Sequence, residues 1–152
     1  GLLRLGETVS WLTPGLVTSF EDLQDSTFQL QADAVPSTSC ELDSIPKALS
    51  ELQVMEEAAG RVLRSIIIYS RSDVIPRHVA GAGLALRADL WYLHSPPVPG
   101  RNNPQAVFDA LVRAIDDFAA PHQFHAYVFE HAGQGMGVVF SECMWFLAHP
   151  LQ

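Results

Sequence analysis

Three histidines in the last third of the chain are the residues whose type and spacing could bind a metal ion. Imidazole nitrogen is a common zinc ligand, and His122, His125 and His131 stand close together in the sequence. If residues 124–130 form a β-strand, however, His125 and His131 lie about 20 Å apart at roughly 3.3 Å per residue, which is too far for one ion. His122 and His125 could still share a metal, but we predict that no metal site is present.

Two glycine-rich stretches, one thiol and one acidic pair are the other candidates for chemistry. The GAG stretch at 81–83 and the GQGMG stretch at 133–137 could form phosphate-binding loops, but GQGMG has neither the lysine of a P-loop nor the glycine spacing of a dinucleotide fingerprint. Cys143 stands in an apolar helical run, where a buried and unreactive thiol is expected. Asp116 and Asp117 should face solvent, with no second carboxylate to pair with. No catalytic residue or cofactor is predicted.

The composition describes one globular domain without a surface for nucleic acid or for an anionic membrane. The chain has 152 residues, of which 48% are apolar and 17% charged, and its formal net charge is −8. Its longest apolar runs, such as 65–69 and 144–148, are too short to span a bilayer. Cys40 and Cys143 are too few for a disulfide framework, so we expect reduced thiols in a cytosolic or nuclear protein.

The first 60 residues predict a hairpin and two helices. Residues 1–5 and 7–12 are short β-type segments on either side of a glycine. A capping box at 18–21 begins the first helix, which continues to Leu30. Asp43 or Ser44 caps the second helix. Its buried stripe is predicted to contain Ile45, Leu49, Leu52 and Met55.

The second half of the chain predicts alternating strands and helices. The strands are expected at 61–70, 88–94 and 124–130. The first of them, RVLRSIIIYS, is almost continuously apolar, as in a strand that is covered on both faces. Residues 95–103 form a loop. Helices are expected from Pro76 to Leu86, from the capping pair Asn103 and Pro104 to Phe118, and at 135–149.

This order of elements implies an α/β fold: an open, doubly wound, mostly parallel sheet with helices on both faces and an antiparallel hairpin at one edge. Such a sheet carries its ligand sites at the carboxyl ends of its strands. The polar residues predicted there are Tyr69, Ser70, Arg71, His94 and either Glu130 or His131. Polar strand ends are usual in α/β proteins and do not by themselves indicate a ligand site. A small enzyme with its site at this edge is therefore kept only as an alternative.

The last helix is apolar around more than one face, so it is either sandwiched within the domain or shared with a partner. The tail after it, residues 149–152, cannot continue the helix, because Pro150 disfavours helical geometry in the residue before it. An extended tail is therefore expected, which is the shape that peptide-binding grooves accept.

Five segments, in this order, carry a family resemblance: VSWLTPGLVTSFEDL, STSCELDSIPKAL, RVLRSIIIYSR, DLWYLH and FLAHPLQ. They resemble the von Willebrand A-like scaffold subunit of the BRISC deubiquitinase complex and of its nuclear, DNA-repair counterpart, the BABAM or MERIT family. The segments spread over almost the whole chain. IIIYSR and LAHPLQ are the most distinctive of them, whereas the loop SPPVPGRNNPQ looks divergent.

The resemblance implies a non-catalytic subunit in ubiquitin signalling and DNA repair, present in cytoplasm and nucleus. In that family the subunit binds a partner built of ubiquitin-E2-variant domains, and through it the zinc-dependent JAMM protease and its pseudo-enzyme partner. No membrane, direct nucleic-acid contact, metal or cofactor is implied for the subunit itself. The implied partner-binding residues are Trp145, Phe146, His149, Pro150, Leu151 and Gln152.

The sequence departs from the von Willebrand A pattern at its beginning. The central first strand, the Asp-x-Ser-x-Ser metal motif and the first helix of that domain have no counterpart here. We therefore expect residues 1–152 to be the C-terminal portion of such a domain, with 149–152 as the start of an extended tail. Without its central neighbour, strand 61–70 should leave the isolated fragment aggregated or partly unfolded. A ligand- or metal-binding A-domain is the other alternative to the scaffold.

Overall fold

The computed structural model describes residues 39–60, 64–79 and 86–130, together with a few residues nearer the amino end: Leu3–Arg4, Ser10–Trp11, Ser19 and Glu21. In chain order the elements are β1 Leu3–Arg4, β2 Ser10–Trp11, α1 Ser44–Ala58, β3 Arg64–Tyr69, β4 Leu86–His94, α2 Pro104–Phe118 and β5 Ala119–Glu130. The helix predicted at 135–149 lies outside the described residues, as does the helix predicted to end at Leu30 apart from Glu21.

Strands β1 and β2 form the predicted hairpin. They pair antiparallel, with Leu3 opposite Trp11 and Arg4 opposite Ser10. Among the described residues this pair is a sheet of its own, because its hydrogen bonds run between its two strands and not to β3, β4 or β5. Its predicted place at the edge of the parallel sheet is therefore not found.

Strands β3, β4 and β5 form a parallel sheet in the order β3-β4-β5, which confirms the α/β class. The central strand β4 is buried on both faces from Ala88 to Leu93. Strand β3 is not: Ile67 and Tyr69 are buried, but Ile66 and Ile68 on its other face are 43% and 44% exposed. Burial on both faces was predicted for β3 and is found instead for β4, whose side chains pack in an apolar cluster on each face of the sheet.

Both described helices pack on the same face of this sheet. They contribute to one apolar core with the side chains of β4 that point to that face: Ala88, Leu90 and Tyr92. Trp91 and Leu93 point the other way and form a smaller cluster with Tyr127 and Phe129 of β5. Helices on both faces, as in a doubly wound sheet, remain a prediction.

Helix α2 begins and ends where the sequence predicts. Pro104 occupies its first turn, and the side-chain oxygen of Asn103 accepts a hydrogen bond from the backbone N–H of Ala106 at 3.2 Å. Its buried residues are Pro104, Val107, Leu111, Ala114, Ile115 and Phe118. Strand β5 follows at once from Ala119, five residues before the predicted strand at 124–130.

We expect Asn103→Ala to lower the free energy of unfolding by about 1 kcal/mol, because an N–H of the first turn of α2 loses its acceptor. Asn103→Ser is the matched control, since serine keeps an oxygen at the capping position. Urea denaturation of the two variants and the parent protein measures the difference. Equal losses for alanine and serine would show that the cap contributes nothing.

Helix α1 follows the predicted stripe except at Met55, and Leu52 of that stripe packs partly buried against the core. Ile45, Leu49 and Gln53 face the core, whereas Met55 is 65% exposed, so its predicted burial is wrong. The reason is helical phase: Met55 stands two residues from Gln53, which is about 200° around the helix axis. Gly60, at φ +69°, follows the helix in a left-handed conformation that suits glycine.

Residues 77–79, which we call the strap, are extended rather than helical, so the helix predicted to begin after Pro76 is wrong there; residues 80–85 lie outside the described ranges. The strap pairs in parallel with the chain before α1. Arg77 donates its N–H to the carbonyl of Cys40 at 2.8 Å and accepts from the N–H of Leu42 at 3.0 Å. The backbone N–H and carbonyl of Arg77 therefore form hydrogen bonds with residues before α1 and not within a local helix.

Candidate functional site

The carboxyl edge of the sheet is the place where the sequence predicts a ligand site, and its polar residues are held by local contacts. The Tyr69 hydroxyl donates to the carbonyl of Val74 at 2.7 Å. Arg71 binds both carboxylate oxygens of Asp73 at 3.2 and 3.0 Å. His94 Nδ1 lies 3.0 Å from the carbonyl oxygen of Ser95. These three side chains therefore fix the turns that follow β3 and β4.

The remaining residues predicted at this edge do not join a common site. Ser70 and Glu130 are exposed, and His131 lies outside the described residues. The rings of Tyr69 and Tyr92 approach to 6.2 Å, and Tyr92 stacks on His94 at 5.4 Å. The edge is therefore an aromatic stack rather than a set of converging acids and bases.

Tyr69, Tyr92 and Asp73 at this edge are poorly suited to proton transfer. Burial raises the pKa of the Tyr69 hydroxyl far above its usual value, and it also raises the pKa of Tyr92. The hydrogen bond from Arg71 lowers the pKa of the Asp73 carboxyl. At neutral pH these tyrosines stay protonated and Asp73 stays ionised. None of the three therefore has the pKa near neutral pH that suits a general base.

An open depression of about 500 Å³ lies beside this edge, lined by Ser72, Asp73, Ile75, Pro99, Gly100, Arg101, Asn102, Asn103 and Val107. Its polar side chains again shape the backbone. Asn102 accepts from the N–H of Val98 at 2.6 Å, and Ser72 Oγ accepts from the N–H of Ser95 at 2.9 Å. Asn103 caps α2. The lining therefore holds the 95–103 loop in shape.

A cluster that the sequence did not reveal lies around His78 of the strap. Its Nδ1 is 2.6 Å from Oδ1 of Asp43, and its Nε2 is 3.0 Å from Oδ2 of Asp117. The ring also meets that of Phe118 edge-on, with centroids 6.3 Å apart. No spacing signal could have found this cluster, because its members stand 35 and 39 residues apart in the chain.

Of the two aspartates in this cluster, Asp43 differs from its predicted role. Asp43 occupies the N-cap position of α1 but makes no side-chain cap. Its two carboxylate oxygens accept instead from the N–H of Val79, at 3.1 and 3.0 Å. Asp117 lies on an exposed helix face, as predicted, and it also contacts His78, which it shares with Asp43. Its neighbour Asp116 is exposed, as expected.

Of the three histidines considered as metal ligands, the structure describes the side chain of His125. His125 is on β5, and its Nδ1 lies 3.3 Å from Oδ1 of Asp89 without hydrogen-bond geometry. Asp89 is buried on β4, whereas His125 is half exposed. The side chain of His122 and all of His131 lie outside the described residues. In the ranges that are described, no three acidic, histidine or cysteine side chains are grouped to hold a metal ion.

The described cysteine, Cys40, is a buried free thiol in the core under α1. Burial raises its pKa, and the neighbouring Glu41 raises it further. A thiol in this environment stays protonated at neutral pH and is a poor nucleophile. Cys143 lies outside the described residues.

The predicted partner-binding residues and both glycine-rich stretches also lie outside the described residues. Searches for a related protein-family model, curated protein or solved structure find no match for this chain. Of the helices that are described, none is both long and apolar enough to cross a bilayer.

Proposed function

We propose that this chain is a non-catalytic scaffold or adaptor subunit that stabilises a JAMM-type deubiquitinase complex by binding its ubiquitin-E2-variant subunit. The proposal starts from the resemblance of five sequence segments to the BABAM or MERIT family. It places the chain in ubiquitin signalling and DNA repair, in cytoplasm and nucleus. Contact with the JAMM protease and its pseudo-enzyme partner is indirect, through the E2-variant subunit.

The observation that carries the non-catalytic part of the proposal is the use of the polar side chains at the carboxyl edge. The side chains of Tyr69, Arg71 and Asn102 form hydrogen bonds with the loop backbone or with a neighbouring side chain. Ser72 and Asn103 do the same. An enzyme on a parallel sheet needs converging groups at this edge that are free to meet a substrate. Groups already engaged in holding loops support a structural role.

A von Willebrand A-like arrangement is part of the same proposal. The parallel order β3-β4-β5, with α2 crossing from β4 to β5, is what such an α/β domain requires of these segments. The segments RVLRSIIIYSR and DLWYLH, which carry much of the resemblance, are the neighbouring strands β3 and β4. Sequence likeness and strand pairing therefore agree in this part of the chain.

Exposed apolar side chains favour a protein that works through contacts with other proteins. Eight large ones are exposed in the described residues: Val54, Met55, Ile66, Ile68, Ile75, Val79, Val98 and Val128. Single exposed apolar residues are common, but Val54 and Met55 are consecutive on α1, and Ile66 and Ile68 share one face of β3. Such pairs suit interfaces better than a surface that meets only water.

Co-purification with the E2-variant subunit and the deubiquitinase core tests the proposal. We expect the full-length protein to co-elute with them and a form without residues 135–152 to be lost from the complex, because the apolar last helix and tail supply the docking surface. Circular dichroism of the shortened form serves as the control for folding. Absence of association by either form would reduce the family resemblance to a shared fold. Co-elution of both forms would place the docking surface elsewhere.

A further inference from the structure

The loop between β4 and α2 contains three prolines and an arginine in a spacing that proline-binding domains recognise. Its sequence over residues 95–101 is SPPVPGR. Pro96 and Pro99 stand three residues apart, and Arg101 follows two residues later. Because a polyproline II helix has three residues per turn, Pro96 and Pro99 lie on the same edge of such a helix. This P-x-x-P spacing is the pattern that aromatic-lined grooves bind.

The sequence restricts residues 95–99 to the polyproline II conformation. Each proline ring fixes φ at about −65°, and a residue that precedes a proline is disfavoured in helical geometry. Ser95, Pro96 and Val98 each precede a proline, and the other two residues of the segment are prolines themselves. In the structure, residues 95–98 belong to no helix, strand or turn. An extended segment is therefore formed before any partner binds.

A type II turn ends this segment. The carbonyl of Val98 accepts a hydrogen bond from the backbone N–H of Arg101 at 3.0 Å. Proline at the second position of the turn and a φ of +73° for Gly100 at the third identify type II, in which Pro99 stays close to polyproline II geometry. The chain therefore departs from the extended form only at Gly100. Since glycine adopts negative φ as readily as positive φ, rotation at Gly100 would bring Arg101 into line with the prolines.

Hydrogen bonds from outside the segment hold it in place. The side-chain oxygen of Asn102 accepts from the N–H of Val98 at 2.6 Å, and its amide nitrogen donates to the carbonyl of Pro96 at 3.2 Å. At the other end, Ser72 Oγ accepts from the N–H of Ser95 at 2.9 Å. A segment that is already ordered loses less conformational entropy when it binds.

The prolines and the arginine are accessible to a partner. Every residue from 97 to 101 is exposed, and Pro96 is half-buried. Arg71 and Arg77 pair with acidic side chains of the same chain. Within the ranges that the structure describes, Arg101 pairs with no acidic side chain. Its guanidinium is therefore available for a carboxylate of another protein.

We propose that residues 95–101 are a docking segment for a protein domain of the SH3 type, with an aromatic-lined groove for the prolines and acidic side chains at one end of the groove for Arg101. Such grooves bind preformed polyproline II segments. A carboxylate suits Arg101 because it accepts two parallel hydrogen bonds from a guanidinium. This partner differs from the E2-variant subunit, so the inference does not depend on the proposed function.

Binding of the full-length protein to a panel of purified SH3 domains that bind P-x-x-P-x-Arg peptides tests the inference. Calorimetric titration with the domain that binds most tightly measures the affinity. We expect one domain to bind per chain, and a P-x-x-P-x-Arg peptide to displace the chain because both occupy the same groove. The double variant Pro96→Ala, Pro99→Ala should weaken binding by at least about tenfold, and Arg101→Gln by about tenfold.

Arg113→Gln is the matched control, because it removes an exposed arginine of α2 that lies outside the loop. It should bind the SH3 domain as the parent protein does. Arg101→Gln keeps the backbone of the turn, so its melting temperature should equal that of the parent protein, and it should still co-purify with the E2-variant subunit. Absence of binding to every domain of the panel would overturn the proposal. So would binding that the peptide does not displace, or equal affinities for the parent protein and Arg101→Gln.

Discussion

Replacing Phe118 with alanine is expected to lower the free energy of unfolding by about 4 kcal/mol. The side chain is 1% exposed and lies in the core that both helices share with the sheet. Its removal would leave a cavity at the end of α2 and would take the aromatic neighbour from His78. Because domains of this size are stable by only about 5–15 kcal/mol, the loss should be plain in a urea titration.

Phe108→Ala is the matched control for this prediction, since it removes the same side chain from the same helix. Phe108 is half-buried and stacks on Tyr92, with ring centroids 6.1 Å apart. We expect a loss of about 2 kcal/mol, because the site is open to solvent and leaves a smaller void. Equal losses for the two phenylalanines would contradict the burial difference on which the prediction rests.

Trp145→Ala is expected to weaken binding to the E2-variant subunit by at least about 2 kcal/mol, or roughly 30-fold in Kd. Large aromatic side chains supply much of the energy of many interfaces, and Trp145 is among the residues that the family resemblance assigns to the partner surface. Calorimetric titration measures the affinity. The melting temperature of the unbound variant should stay close to that of the parent protein.

Trp91→Ala supplies the opposite pattern as a control. Trp91 is 1% exposed on β4 and packs in the cluster on the second face of the sheet. Its removal should lower the melting temperature and leave the affinity per folded molecule unchanged. If Trp145→Ala behaves as Trp91→Ala does, Trp145 is a core residue and the docking surface must be sought elsewhere.

The elements that the sequence predicted well are those set by neighbouring residues. Helix α2 follows from the pair Asn103 and Pro104, which suits a helix start whatever lies around it. Strand β4 follows from its largely apolar run. The predicted burial of Met55 is wrong because apolar character alone does not decide which side of α1 packs against the core. The buried residue in this part of the helix is Gln53.

Features that depend on distant partners could not be predicted. Pro76 is a good helix start by local rules, yet the strap after it pairs with residues before α1. The contact between His78 and Asp117 has no trace in composition or spacing, because it exists only once α2 is packed. Likewise, the apolar run of β3 does not reveal that Ile66 and Ile68 are exposed, because burial of a face depends on what packs against the sheet.

The candidate site shows the same division. The sequence correctly placed Tyr69, Arg71 and His94 at the carboxyl ends of their strands. It could not show that these side chains contact the carbonyl of Val74, the carboxylate of Asp73 and the carbonyl of Ser95. Such contacts depend on how the chain turns after each strand, which only the structure shows. These local contacts are therefore known from the structure alone.

The parallel pairing of the strap with the chain before α1 also bears on the order in which the protein folds. Val79 and Asp43 meet across 36 residues, and each neighbouring pair in the sheet also joins strands that are not connected by a tight turn. Closing such long loops costs chain entropy before the contacts between distant residues can offset that cost. Helix α2, in contrast, can form from local contacts. The helix should therefore precede the strap on the folding pathway. The contacts around His78 should then form late in folding and break early in unfolding. Their loss should therefore mainly raise the rate of unfolding.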